Sequence, residues 1–154
     1  MDAGTFLHQT LFGGVAAAGF AVLFNTAPRA LPWCAASGAL ALAVRTLALG
    51  AGWSLETASF AAALVLGSAV QTLQARAGVS RNALGVAGCI PMIPGAFAAK
   101  AILALVALTT TAPEHAAEVL TAAAQNLLRV TFTIGAIGTG LAIPTLLLRV
   151  RVST

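Results

Sequence analysis

Long apolar runs separated by short polar breaks make up almost the whole chain. Five runs can be marked, at about residues 6–24, 34–52, 57–75, 83–108 and 119–148. Each approaches or exceeds the roughly 20 residues a helix needs to cross a hydrocarbon layer about 30 Å thick. The last is overlong, which predicts tilt or a first turn or two outside the bilayer. Trp33 and Trp53 bracket the second run at a spacing of about 30 Å along a helix, as residues that favour both interfaces should. The fourth run is interrupted by "CIPMIPGAFAAK" (residues 89–100), where two prolines and a lysine fall within apolar sequence.

The pattern predicts an all-α polytopic membrane helix bundle of about five transmembrane helices, the fourth broken by proline. The loops carry a charge bias. Arg29, Arg76, Arg81, Arg149 and Arg151 fall on one side of a five-span arrangement, and Asp2, Glu56, Glu114 and Glu118 on the other. Basic loops collect in the cytoplasm, so the expected topology is N-terminus out and C-terminus in. A four-span reading that merges the second and third runs would place Glu56 near mid-membrane.

Composition sharpens this. Of 154 residues, 59% are hydrophobic and only 8% charged, with a mean hydropathy of +0.95. A soluble domain has about a quarter of its residues charged, so lipid is the expected solvent and residues 1–154 the expected single integral membrane domain. The net charge of +4 is spread over single basic residues without a basic face, which argues against nucleic acid as a partner. The first twelve residues, "MDAGTFLHQTLF", hold an acid and no basic n-region, so no cleavable signal is expected. Cys34 and Cys89 lack metal-type spacing and read as buried small apolar residues; no metal or cofactor is expected. "GAIGTGLAIP" (residues 135–144) has no strand before it and so reads as close helix approach, not a dinucleotide fingerprint.

Candidate chemistry gathers at the proline motif. Counting up from Arg81 puts Pro91 about 15 Å into the layer, near its middle. Pro91 and Pro94 each remove a backbone donor. Pro94 followed by Gly95 predicts a helix restart with proline at its first position, leaving the N–H groups of Gly95, Ala96 and Phe97 at the positive end of a half-helix. Such an end suits an anion, and transporters place theirs at broken helices near the midplane. A kink that only shapes packing is the alternative. Arg45, Lys100 and Arg129 lie in apolar runs that contain no carboxylate. Arg45 is expected to face a substrate or a partner. Lys100 is open between the solute path and snorkelling, and Arg129 reads as reaching the outer interface. No serine–histidine pair or acidic cluster falls within the runs, so an enzyme is not expected.

Three stretches, "GFAVLFNTAPRALPWCAASGALALAVR" (residues 19–45), "IPMIPG" (90–95) and "GLAIPTLLL" (140–148), resemble the threonine/serine exporter family. The resemblance is closest to its small-subunit branch, typified by YjjB. It implies a multi-pass protein of a bacterial inner membrane that works with a larger, YjjP-like membrane subunit to export a succinate-like dicarboxylate or another small anionic solute. The family-like positions are Phe24, Asn25, Pro28, Arg29, Cys34, Arg45, Pro91, Pro94, Gly95 and Pro144, with Asn25, Pro28, Arg29 and Pro144 as structural motif residues. The family pattern has a tyrosine and a small polar residue where this chain has Ala99 and Lys100. The expected solute contacts are Arg45, Pro91, Pro94, Gly95, Ala96, Phe97 and Lys100. The alternatives are a threonine or serine exporter subunit and a non-transporting scaffold.

Overall fold

The computed structural model describes residues 2–77, 80–110 and 112–152, and all regular structure among them is helical. Helix α1 (Ala3–Leu23) is followed by a 3₁₀ turn, Pro28–Ala30, that leads into α2 (Leu31–Gly50). Then come α3 (Leu55–Ala77), α4 (Arg81–Cys89), a second 3₁₀ turn at Ile90–Met92, α5 (Gly95–Ala107) and α6 (Pro113–Val152). This is the all-α membrane bundle the apolar runs predict.

Three helical stretches, Ala3–Leu23, Pro28–Gly50 and Glu114–Leu147, are long and apolar enough to cross a membrane among the described residues. A fourth is reached if Ala83–Met92 and Gly95–Ala107 together form one broken span. Helix α3, the remaining expected span, is long enough at 23 residues but carries Glu56, Ser59, Ser68, Gln71, Thr72 and Gln74. Its hydroxyls bond back into the helix: Ser59 donates to the Leu55 carbonyl (2.7 Å), Ser68 to Leu64 (2.9 Å) and Thr72 to Ala69 (2.8 Å). Such back-bonding satisfies a hydroxyl without water. The side chains of Arg76, Arg81, Arg149 and Arg151, which enter the charge-bias argument, lie outside the described residues.

Local chemistry explains where the helices begin and end. Helix α1 closes in a Schellman turn: Thr26 N–H reaches the Ala21 carbonyl, and Asn25 N–H the Val22 carbonyl, both at 2.9 Å. Asn25 adopts the left-handed conformation (φ 54°) that this turn demands, one asparagine tolerates better than most residues. Gly52 (φ 85°) ends α2 in the same way, with Trp53 N–H on the Ala48 carbonyl. Ser54 caps α3 through Thr57 N–H (3.2 Å), and Ser80 caps α4 through Ala83 N–H (3.3 Å). Helix α6 starts at Pro113, a favoured first position, and at 40 residues it extends about 60 Å. It is therefore about twice as long as the hydrocarbon layer is thick, as the overlong fifth run foretells.

The chain divides into two compact units: residues up to Met92 with those from Ala136 onward, and Ile93–Gly135. In the first unit, Cys34, Leu66, Leu84, Cys89, Met92 and Ile137 belong to one buried cluster, and both cysteines are free. Small residues set the helix spacing there. A Cβ on Gly13 of α1 would meet Leu42 at 2.8 Å and the Gly38 carbonyl of α2 at 3.0 Å. A Cβ on Gly140 of α6 would lie 2.6 Å from the Phe60 carbonyl and 3.1 Å from Leu64 N, both on α3. Pro144, buried inside α6, packs one turn further on against Gly67. In the second unit Ala101, Ala123 and Thr133 are buried.

Two substitutions on one helix test this packing. Gly140→Ala pushes a methyl into backbone that has nowhere to move and should cost about 1–3 kcal/mol. Gly138→Ala, where a Cβ meets nothing within 4 Å, should be neutral or stabilising by up to about 1 kcal/mol. Reversible unfolding in mixed micelles compares the two; equal stabilities would refute the close approach of α3 and α6.

Candidate functional site at the helix break

In a continuous helix, residue 91 would donate to the Ala87 carbonyl and residue 94 to the Ile90 carbonyl. Proline can do neither. The chain responds by tightening into the 3₁₀ turn Ile90–Met92 and then turning at Pro94, with φ −81° and ψ 60°. Those angles define an inverse γ-turn, closed by Gly95 N–H on the Ile93 carbonyl at 2.9 Å. Helix α5 restarts at Gly95 with Pro94 as its cap, not its first residue.

This local geometry corrects the expected row of three free amides. Gly95 N–H is held by the γ-turn, and Phe97 N–H (3.1 Å) and Ala98 N–H (3.2 Å) both bond the Pro94 carbonyl. Of the three, only the Ala96 N–H has no partner among the described residues. The positive helix end is thus narrower than the proline–glycine pattern predicts, because Pro94 supplies a carbonyl acceptor within its own turn.

The break also releases an acceptor. An uninterrupted helix would pair Ala96 N–H with the Met92 carbonyl, four residues back. That carbonyl instead accepts from Arg45 Nη1 at 2.7 Å. Arg45 lies on α2, half-buried, fourteen residues beyond its start. A cation at the bilayer centre costs at least about 2.5–3.5 kcal/mol, and a hydrogen bond involving a charged group returns about 1.5–3 kcal/mol. The two magnitudes match, so the lone cation and the released carbonyl compensate one another. One of the five guanidinium donors is engaged by this bond, which leaves the fork geometry able to take a carboxylate. Met92 carries no signal of this by its residue type; only its position between two prolines marks its carbonyl.

The remaining expected contacts separate by unit. Arg45 and Pro91 belong to the first unit; Pro94, Gly95, Ala96, Phe97 and Lys100 belong to the second. Gly95 and Ala96 are exposed and Pro94 is buried. Phe97 is half-buried, with Lys100 Nζ 5.8 Å and Arg129 Cζ 5.1 Å from its ring centroid. Arg129, exposed on α6, therefore faces an aromatic ring on α5. Arg29 is exposed in the turn that Pro28 opens. In the first unit a cavity of about 320 Å³, lined by Phe24, Thr26, Ala83, Val86 and Ala87, opens beside α4.

Replacing Arg45 by Met should leave the Met92 carbonyl without its donor and lower stability by about 1–3 kcal/mol. Adding Pro94→Ala restores a donor for the Ile90 carbonyl and should recover part of that loss. Thermal unfolding of the single and double variants measures both; an Arg45→Met protein as stable as the parent would show that the bond contributes nothing.

Known proteins resemble this chain over most of its length. The family model described as "Threonine/Serine exporter, ThrE" matches residues 9–147, which includes every feature above except the chain ends. An uncharacterised protein of Haemophilus influenzae is 36% identical over 141 residues. The aligned part is 92% of this chain but 47% of the relative, so the chain spans about half that relative's length. No solved structure matches it.

Proposed function

Because this chain belongs to the threonine/serine exporter family, we propose that it is the small membrane subunit of a two-component exporter of small carboxylates, with a succinate-like dicarboxylate as solute. The coarser statement, a multi-pass membrane exporter domain, follows from the family and from the membrane-length apolar helices. The finer reading is carried by one observation, the Arg45–Met92 pair at the helix break. A cation held at membrane depth by a neutral carbonyl is poised for exchange. An incoming carboxylate brings the opposite formal charge and can take two guanidinium donors side by side, neither of which a single neutral carbonyl offers, and so displaces the carbonyl. Passage then alternates between Arg45 bonded to Met92 and Arg45 bonded to solute, with access switching from the inside to the outside.

The half-length match supports a partner. The chain spans about half of that relative's length, and in the proposed scheme a larger YjjP-like subunit completes the exporter. The loop charges support an N-out, C-in orientation in a bacterial inner membrane. A second reading has its own support: a zwitterionic amino acid such as threonine or serine would place its carboxylate on Arg45 and its ammonium on the freed Met92 carbonyl. The family's description favours the same solutes.

Efflux from preloaded cells tests the proposal with this chain alone, the larger subunit alone, and both together. Export should require both. Arg45→Gln should lower it at least about tenfold while leaving membrane insertion intact, since losing one partner of a desolvated charge contact costs about 2 kcal/mol or more. Undiminished export by Arg45→Gln would remove Arg45 from the pathway, and export unaffected by omission of either protein would remove the two-component scheme. Competition by unlabelled succinate, threonine and serine identifies the solute.

A further inference from the structure

Helix α1 turns Gly13, Gly14, Ala17 and Ala21 into the fold. Thr10 precedes them by three, four, seven and eleven residues, so it continues the same stripe. Its side chain points the same way. Thr10 is half-buried, yet its Oγ1 exposes less than 1 Å² and has no hydrogen-bond partner among the described residues. Thr121, Thr131 and Thr133 of α6 avoid that state by donating to the carbonyl four residues back, at 2.8, 2.9 and 2.7 Å. A hydroxyl buried without a partner is costly and calls for an explanation.

The packing of α1 on α2 fixes what stands at its level. Gly38 meets Ala17, and Gly13 meets Leu42. Moving four residues back along α1 therefore advances the contact four residues along α2. One further turn back, at Thr10, brings the turn of α2 that holds Arg45. Helix α1 also packs against the 3₁₀ turn Ile90–Met92, whose Met92 carbonyl accepts from Arg45. The hydroxyl, the guanidinium and the freed carbonyl thus gather in the first unit.

We propose that Thr10 is a solute-binding residue, whose hydroxyl donates to the carboxylate that Arg45 takes when it leaves Met92. The inference rests on the reading of Arg45 as the cation that meets the solute. Arg45 offers the hydroxyl donors only, and the Met92 carbonyl is already occupied. The Thr10 proton still needs an acceptor, and a carboxylate brings two oxygens, one for each partner. The hydroxyl is sealed while Arg45 holds Met92, and the exchange of Arg45 onto solute is the step that satisfies it. A buried donor left unpaired in the empty state favours solutes that can pair it over those that cannot.

The test measures binding of radiolabelled succinate and, separately, radiolabelled threonine to the full chain in phosphatidylcholine nanodiscs, with thermal unfolding of each variant. Thr10→Val keeps the shape and removes the hydroxyl. It should weaken at least one probe about tenfold, the loss of one hydrogen bond to a charged group. Its unfolding midpoint should stay at or above the parent's, because a buried unpaired hydroxyl is gone. Thr10→Ser should restore binding, and Thr10→Ala supplies the affinity if Thr10→Val does not fold. A purely structural threonine would give a lowered midpoint with the parent's affinity, and that result overturns the assignment. So does the parent's affinity in either variant without the hydroxyl, failure of Thr10→Ser to restore binding, or binding of neither probe by the parent chain. Arg45→Gln, measured alongside, separates the two claims. If it loses binding and Thr10→Val does not, only the role of Thr10 fails. If Arg45→Gln binds as the parent does, the reading of Arg45 fails and the shared carboxylate with it.

Discussion

A carbonyl set free among apolar helices has few donors to bond, and the break at two prolines around Met92 frees one. The rest of the arrangement follows from the need to find it a donor. Arg45 provides one across from α2, at 2.7 Å, and the same bond makes tolerable an arginine that apolar surroundings would otherwise exclude. Either feature alone would destabilise a membrane bundle by a few kcal/mol. Together they tie α2 to the break and leave most of the guanidinium uncommitted.

Packing elsewhere in the first unit obeys the same shortage of water. Lipid tails are as apolar as leucine, so burial in lipid gives little reason for helices to associate, and close approach has to do so instead. The glycines at 13, 38 and 140 bring backbone within reach of backbone. Ser37 bonds the Trp33 carbonyl and Ser59 that of Leu55, so both are buried with their hydroxyls occupied. Helix α3 illustrates the balance: its polar content makes it the least lipid-like of the long helices, yet Ala58, Ala62, Ala63, Leu66 and Val70 line its buried face.

The chain belongs to the threonine/serine exporter family and spans about half the length of the Haemophilus influenzae relative it matches. The Arg45–Met92 bond lies in the first unit, and the ring of Phe97 with Lys100 and Arg129 near it lies in the second.

Apolar surroundings, the helical class, the position of the break and the overlong last helix are all legible in the order of residues along the chain. These depend on hydropathy, helix pitch and the missing N–H of proline, all properties of neighbouring residues. The sequence also marked Arg45 as an arginine in need of a partner. It did not reveal that Pro94 would consume the amides beside it, because that depends on one ψ angle. Nor did it show that Met92 would be the partner of Arg45, or that Arg129 would share Phe97 with Lys100. Those pairings join residues 47 and 32 positions apart, and no periodicity along a chain records which side chain will stand opposite which carbonyl or ring once helices pack. They arise when helices pack, because the packing of one helix against another sets the register in which distant groups meet.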